Sequence, residues 1–382
     1  MKIPLLDLKA QHETINKEIR LAIEEILESQ YFILGHNVEE LEKNIAHYSN
    51  TKFALGVSSG TDALLVSLMA LNIKPGDEII TTPFTFFSTV GVISRLNAIP
   101  VFVDIDPSTF NIDPLKINAA ISSKTKAIIP VHLFGQIADM DSIIEIANKN
   151  NLSVLEDAAQ AIGAEYKGRK AGSIGNIGAF SFFPSKNLGG YGDGGMIVTN
   201  DEDLFETAKI LRVHGSKPKY YHKIVGGNFR LDSLQASILN IKLKYLDQWS
   251  QKRRENAEYY NEKFKESGLI EDGYIITPVA NYINYLDKNF HIYNQYTLIT
   301  KHRNKLREFL KENGVGTEIY YPVPQHLQEC FCDLGYKKGD FPISEKTAET
   351  VLSIPIYPEL NYDQKNYIIQ KISEFYRNSN FV

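Results

Sequence analysis

Phe53-Ala-Leu-Gly-Val-Ser-Ser-Gly60-Thr-Asp-Ala-Leu-Leu-Val-Ser-Leu-Met-Ala-Leu71 passes from a short apolar run to a longer one, with small residues at the join. The first five residues have the length and bulk of a buried strand, and Thr61–Leu71 has the length of a helix. The same alternation continues to residue 199. Strands are predicted at Phe53–Val57, Glu78–Thr81, Pro100–Asp104, Ala127–His132, Ser153–Glu156, Gly178–Phe182 and Gly195–Thr199. Helices are predicted at Thr61–Leu71, Ser88–Asn97, Pro114–Ala120 and Asp139–Lys149. Continuous apolar strands separated by such helices indicate an α/β domain with a mostly parallel, roughly seven-stranded sheet covered on both faces. Ligands collect at the carboxyl ends of strands in these sheets. Chemistry is therefore sought just after each strand.

Outward from this block, two helices precede it, Ala10–Ser29 and Val38–Tyr48, and a long helical stretch follows, Asp232–Ser267. From Phe290 the pattern becomes a strand (Ile292–Thr300), a helix (His302–Asn313), a strand (Thr317–Tyr321) and a helix (Tyr362–Arg377), a smaller C-terminal α+β module. The division expected is 1–250 for the N-terminal helices and the α/β domain, and 251–382 for a linking helix and the small domain. The 41 Lys plus Arg against 46 Asp plus Glu give −5, so no basic face for nucleic acid is expected. Two cysteines, Cys330 and Cys332, are too few and too close for a disulfide framework or a zinc site, and no metal is expected. The stretch Met1–Ala10 carries Asp7, which spoils a signal-peptide core, and no run nears the roughly 18 apolar residues of a membrane span. A cytoplasmic protein without membrane partners is expected.

Three segments could carry chemistry. Ser58-Ser-Gly-Thr-Asp-Ala-Leu64 opens a helix directly after a strand, where exposed N–H groups and the positive helix end favour a phosphate and Gly60 allows close approach. A plain N-cap is the bland alternative. Glu156-Asp-Ala-Ala-Gln160 ends the fifth strand, and acidic groups there need a charged or hydrogen-bonded partner, structural or functional. In Phe180-Ser-Phe-Phe-Pro-Ser-Lys-Asn-Leu-Gly-Gly-Tyr-Gly-Asp-Gly-Gly195, Lys186 follows an apolar strand and precedes a glycine-rich turn. Most lysines are solvated, but burial here would lower the ammonium pKa and make a Schiff-base nucleophile. Together a phosphate site, a carboxylate for a pyridinium and such a lysine describe pyridoxal 5′-phosphate. His132 and His214 are isolated and read as structural.

The chain resembles the DegT/StrS-type sugar aminotransferases, of the aspartate-aminotransferase fold type, over almost its whole length. Besides Ser59–Leu64, Glu156–Gln160 and Ser181–Gly189, the matching stretches are Gly227-Asn-Phe-Arg-Leu231 with Gln235-Ala236, and Gly316-Thr-Glu-Ile-Tyr-Tyr-Pro-Val-Pro324 with His326-Leu327. The resemblance implies that Lys186 carries the cofactor and moves the proton, that Asp157 pairs with the pyridine nitrogen, and that Gln160 bonds the ring oxygen. It implies that Phe86 stacks on the ring, for which core packing is the alternative reading. Gly60, Thr61 and Ser181 would hold the phosphate, joined by Asn228 of the neighbouring subunit in a homodimer with shared active sites. The alternative for Asn228 is a cap on the helix that follows it. Tyr321 and His326 would face the substrate, or else lie in a surface loop.

The activity implied is transamination of a nucleotide-linked keto sugar, with glutamate as amino donor. Some relatives carry His in place of the lysine and dehydrate sugars. The Ser59–Leu64 sequence resembles relatives that aminate C3, which points to a dTDP-3-keto-6-deoxyhexose. The alternatives are a C4-aminating or cyclitol aminotransferase, a dehydratase on the same scaffold, or a non-catalytic regulator. The last would show a damaged lysine, aspartate or glycine loop, or an added basic helix-turn-helix, and none is visible.

Overall fold

The computed structural model describes residues 1–281, 283 and 287–378. Among them seven strands form one sheet: β1 (Phe53–Val57), β2 (Glu78–Thr81), β3 (Ile99–Phe102), β4 (Thr125–Ile128), β5 (Ser153–Asp157), β6 (Ile177–Ser181) and β7 (Gly195–Thr199). Their spatial order is β1-β7-β6-β5-β4-β2-β3. The pairs β2–β3, β2–β4, β4–β5 and β5–β6 are parallel, whereas β7 runs antiparallel to both its neighbours. The α/β class and the mostly parallel sheet hold.

Successive residues of each strand feed opposite cores. Leu55, Ile79, Ala127, Leu155 and Ile197 lie in one apolar cluster, and Ala54, Ile80, Ile128, Val154 and Met196 in the other. A strand alternates its side chains between faces, so a strand buried on both reads as a continuous apolar run. The helices are α1 (Leu8–Ser29), α2 (His36–Tyr48), α3 (Gly60–Ala70), α4 (Phe87–Arg95), α5 (Pro114–Ile117) and α6 (Met140–Lys149). After the sheet come α7 (Glu202–Leu211), α8 (Ser233–Leu243), α9 (Leu246–Glu266), α10 (Arg303–Glu312), α11 (Pro342–Thr350) and α12 (Tyr362–Asn378). Helices α3, α4 and α7 cover one face through Leu64, Val92 and Ala208, and α2, α6 and α8 the other through Leu41, Ile143 and Leu239. Each fully buried Leu or Ile side chain contributes about 1.5–3 kcal/mol. Helix α3 is buried from Ala63 to Leu68, which is why its sequence is apolar all round rather than on one stripe.

Several predicted boundaries move for local reasons. The fourth strand ends at Ile128, not His132, because Pro130 has no N–H for the ladder; pairing resumes only as the bridge Val131–Asp157. The stretch Asp232–Ser267 is two helices, broken at Lys244–Tyr245. In the C-terminal module the predicted strand Ile292–Thr300 starts only at Tyr296, since Ile292 and Asn294 instead donate to the carbonyls of Gly135 and Phe134. Thr317–Tyr321 forms no strand and makes the single bridge Glu318–Ser353. The small sheet there is antiparallel, β8 (Ile275–Ile276), β9 (Tyr296–Thr300) and β10 (Val351–Ile354), in that order.

Its core joins Leu298 and Leu352 to Tyr260 and Phe264 of α9, Leu306 of α10 and Ile368 of α12. Ile3 enters the same cluster, held by bonds between its backbone and Gly314 and Gly316, both 2.8 Å. Helix α9 crosses the boundary read at residue 250: Trp249 packs with Ile15 and Ile19 of α1, while Ala257 and beyond pack into the small module. The last four residues of the stretch read as the second domain lie outside the described residues.

Candidate active site

Strand β5 ends in two carboxylates on opposite faces. Glu156 is fully buried; its Oε2 accepts from His132 Nε2 and the Gly172 N–H, both 2.8 Å, and its Oε1 from the N–H groups of Ile174 and Gly175, both 2.6 Å. His132 Nδ1 accepts the Ala138 N–H at 3.2 Å, so Nε2 carries the proton it gives to Glu156. Asp157 faces a cavity. Its Oδ2 accepts from Thr89 Oγ1 at 2.7 Å and its Oδ1 from the Ala159 N–H at 3.2 Å. Since Thr89 spends its proton on the carboxylate, Thr85, 2.9 Å away, donates to Thr89. Burial pushes the Asp157 carboxyl above the usual range; these bonds and the charge of Lys186 oppose it without winning.

Across the cavity, β1 leads into α3 through Ser59, whose hydroxyl caps the helix by accepting the Asp62 N–H at 3.0 Å. The first N–H groups of any helix lack partners inside it, so those of Gly60 and Thr61 point out of the helix end. Ser181, the last residue of β6, closes the cradle: a Cβ on Gly60 would come within 2.5 Å of Ser181 Cβ. Only glycine admits this approach.

Lys186 sits on the turn after β6, fixed by its N–H to the Phe183 carbonyl at 2.9 Å and by the Gly190 N–H to the Phe182 carbonyl at 2.8 Å. A Cβ on Gly189 would lie 2.3 Å from the Pro184 carbonyl oxygen, so the tight turn needs glycine there. Desolvation lowers the Lys186 ammonium to about 8, although the Asp157 charge pulls the other way. Behind the turn, Lys242 of α8 donates from Nζ to the Gly189 carbonyl at 2.5 Å, and burial lowers it to about 8 as well.

The cavity holds about 420 Å³, the size of a small-molecule site. Gly60, Thr61, Phe86, Asp157, Gln160, Ser181, Lys186 and Tyr321 all line it. Phe86 is 55% exposed and stands at the cavity edge 6.0 Å from the Tyr321 ring, so it is no core residue. Gln160 is locked at both ends: Oε1 accepts the Phe134 N–H at 2.7 Å and Nε2 donates to the Tyr321 hydroxyl at 3.0 Å. Burial raises the Tyr321 phenol well above its ordinary value, which keeps it protonated.

Two predicted residues lie elsewhere. His326 is buried outside the lining, bonded to Glu345 at 3.1 Å and packed edge-on against Phe341. Asn228 is exposed on its own chain and does not line its own cavity; Asp232, not Asn228, is the cap residue of α8. Residues that reasoning from sequence missed include Thr85, Thr89, Gln295, Tyr320 and Lys242. The i, i+4 spacing of Thr85 and Thr89 after β2 was the available signal for the first two.

These residues fit pyridoxal 5′-phosphate. The cradle that a Cβ on Gly60 would fill suits a phosphate, Asp157 is a dry carboxylate with only neutral partners at bonding distance, and Lys186 is a desolvated amine.

The chain matches the DegT/DnrJ/EryC1/StrS aminotransferase family over residues 13–373. It is 50% identical to the "Pleiotropic regulatory protein" of Geobacillus stearothermophilus, over 99% of each chain. It is 41% identical to the dTDP-3-amino-3,6-dideoxy-alpha-D-galactopyranose transaminase of Aneurinibacillus thermoaerophilus, over 98% of this chain and 99% of the relative. Among solved structures, S. venezuelae DesV in complex with a ketimine intermediate is similar at a TM-score of 0.92 and 39% identity, covering 98% of both chains.

Proposed function

The chain belongs to the DegT/DnrJ/EryC1/StrS aminotransferase family and is a pyridoxal-phosphate-dependent sugar aminotransferase, and from this premise we propose that it aminates C3 of a keto sugar carried on a nucleoside diphosphate, with glutamate as donor. A dTDP-linked 3-keto-6-deoxyhexose is the preferred acceptor. The observation that carries the reading is one cavity in which a desolvated Lys186 faces a dry Asp157 beside the α3 cradle. The printed activity of the Aneurinibacillus relative supports the sugar class.

Pyridoxal 5′-phosphate, when bound, supplies an electron sink for charge that develops at the amine-bearing carbon. Gly60, Thr61 and Ser181 hold its phosphate. Asp157 keeps the ring nitrogen protonated, while Thr89 and the Ala159 N–H hold the carboxylate in place. Gln160 bonds the ring oxygen and Phe86 covers the ring. Lys186 Nζ would hold the cofactor at rest and, once displaced by the donor's amine, would take up and return the proton of the amine-bearing carbon. Tyr321 serves the substrate side, whereas His326, outside the lining, is bonded to Glu345 and has no direct part there.

The test offers the pure protein glutamate and a panel of 3-keto and 4-keto sugars on dTDP and UDP, then locates the new amine by NMR. An amine at C3 sustains the reading. An amine at C4 or a deoxygenated product transfers it to the alternatives, and no reaction with any sugar sinks it in favour of a regulatory role.

The enzyme is further proposed to be a homodimer in which Asn228 completes the partner's phosphate site. Asn228 is exposed, and its loop meets an exposed aromatic patch: Arg230 bridges Val57, Asp232 bridges Ile33, and Tyr31, Phe32 and Ile33 are 65%, 37% and 47% exposed. Contiguous apolar surface of this kind marks an interface. Mixing chains that carry Lys186→Ala with chains that carry a disabling Asn228 substitution should restore about a quarter of the sites, because half of randomly formed dimers are mixed. No restoration, with mixed dimers seen by native mass spectrometry, would rule out the shared site.

A further inference from the structure

A second cavity of about 40 Å³ adjoins the first. Ser185, Gln295 and Tyr320 line both, and Arg253 and Tyr357 line only the smaller one. Arg253, on α9, is 3% exposed. Its Nη1 donates to the carbonyls of Tyr293 and Asn294 at 3.0 and 3.4 Å, which fixes the guanidinium. Its Nε–H and Gln295 Oε1 are buried without a partner among the described residues, and the Tyr357 hydroxyl is buried without a well-formed bond, although the Gln364 side chain interacts with it. No carboxylate among the described residues comes within ion-pair distance of Arg253; Glu359 acts on it only from further off.

A guanidinium stays charged in a protein, so a dry one without a close counter-ion is costly. Water could fill 40 Å³ and bond these groups, but it brings no charge. A carboxylate brings a charge and two acceptors for the Nε–H and the Tyr357 hydroxyl. Gln295 adds a donor when its amide is turned end for end. Asn294 Oδ1, fixed as an acceptor because Nδ2 donates to Asn187 Oδ1 at 2.8 Å, is left for a bridging water. The cavity borders Ser185, next in sequence to Lys186, so a group seated in it is tethered close to the reacting amine.

We propose that this side cavity receives a carboxylate of the amino donor, with Arg253 and Tyr357 as its hydrogen-bond donors. The assignment rests on the aminotransferase reading and deepens it. The donor is then an amino acid held through its carboxylate, while the keto sugar, which needs no carboxylate, occupies the larger cavity alone.

The test measures glutarate binding by calorimetry to cofactor-loaded protein in which borohydride has fixed the cofactor on Lys186. Arg253→Gln should weaken binding at least about tenfold, the cost of a lost charge-assisted pair. In the active enzyme it should raise the KM for glutamate by a similar factor and change far less the rate at which the pre-aminated form passes its amine to the sugar. Arg253 also anchors two carbonyls, so Tyr357→Phe, which leaves those bonds intact, is the second variant; it should weaken glutarate roughly threefold, one neutral hydrogen bond. Equal glutarate affinity in both folded variants, or a crystal structure with glutarate placed elsewhere and only water beside Arg253, would overturn the proposal. Arg253-dependent glutarate binding in a protein that aminates no sugar would uphold the site and sink the sugar reading. Glutamate turnover without any glutarate binding would do the reverse.

Discussion

Glu156 and Asp157 are neighbouring carboxylates on one strand, both buried, yet their surroundings differ. Glu156 meets three backbone N–H groups and the proton of His132, so each oxygen accepts two bonds and the charge is met from within the fold. Asp157 meets one hydroxyl and one N–H, and burial raises its pKa. The lesson is that a buried carboxylate is structural when the fold completes its bonds and functional when the fold leaves one side for a ligand.

The largest effect should come from removing the cation that faces Asp157 and not Glu156. Lys186→Ala should abolish turnover and leave cofactor binding through the phosphate and ring contacts. Its folded pKa lies below its unfolded value, so at pH 7 the dry ammonium costs stability, and the cofactor-free variant should melt no lower than the cofactor-free parent. A clearly lower melting temperature would mean that Lys186 is a structural residue.

Asp157→Asn should slow turnover on the order of 10³-fold or more, several kcal/mol of transition-state stabilisation, with little change in melting. Near-normal single-turnover rates would place Asp157 in the same class as Glu156.

Glu156→Gln should do the opposite, costing about 2–3 kcal/mol of stability through its charge-assisted bonds while activity per folded molecule stays within a few-fold. A variant that folds normally but fails to turn over would erase the contrast.

The smallest effect is a pH dependence. The neutral amine is the nucleophile, so cofactor loading onto the cofactor-free protein should speed up as pH rises through about 8 and then level off. An ordinary lysine near 10.4 would keep accelerating beyond pH 9, and that profile would contradict a desolvated Lys186.

Much of this was legible in the chain. The bounds of β1, β2 and β7 were read to the residue, because apolar runs closed by glycine, serine or threonine leave one interpretation. Gly60, Asp157 and Lys186 stand in motifs whose residue types state their chemistry, and all three line one cavity. The failures were non-local. His326 looked like a substrate residue and is instead buried against Phe341 and Glu345, because α11, 16 residues further on, covers it. Thr317–Tyr321 has strand-like composition but finds only one bridging partner.

The sequence by itself determined the sheet, the glycine-opened start of α3, the acidic strand end and the lysine turn, since each depends on spacing within one segment. Only the tertiary structure decided which of two adjacent carboxylates is left with an open side. It also decided that Lys242 braces the Lys186 turn, and that Arg253 is buried without a close counter-ion in a cavity that Ser185 also lines. Burial, charge balance and unmet hydrogen bonds are set by elements distant in the chain, and no local pattern records them.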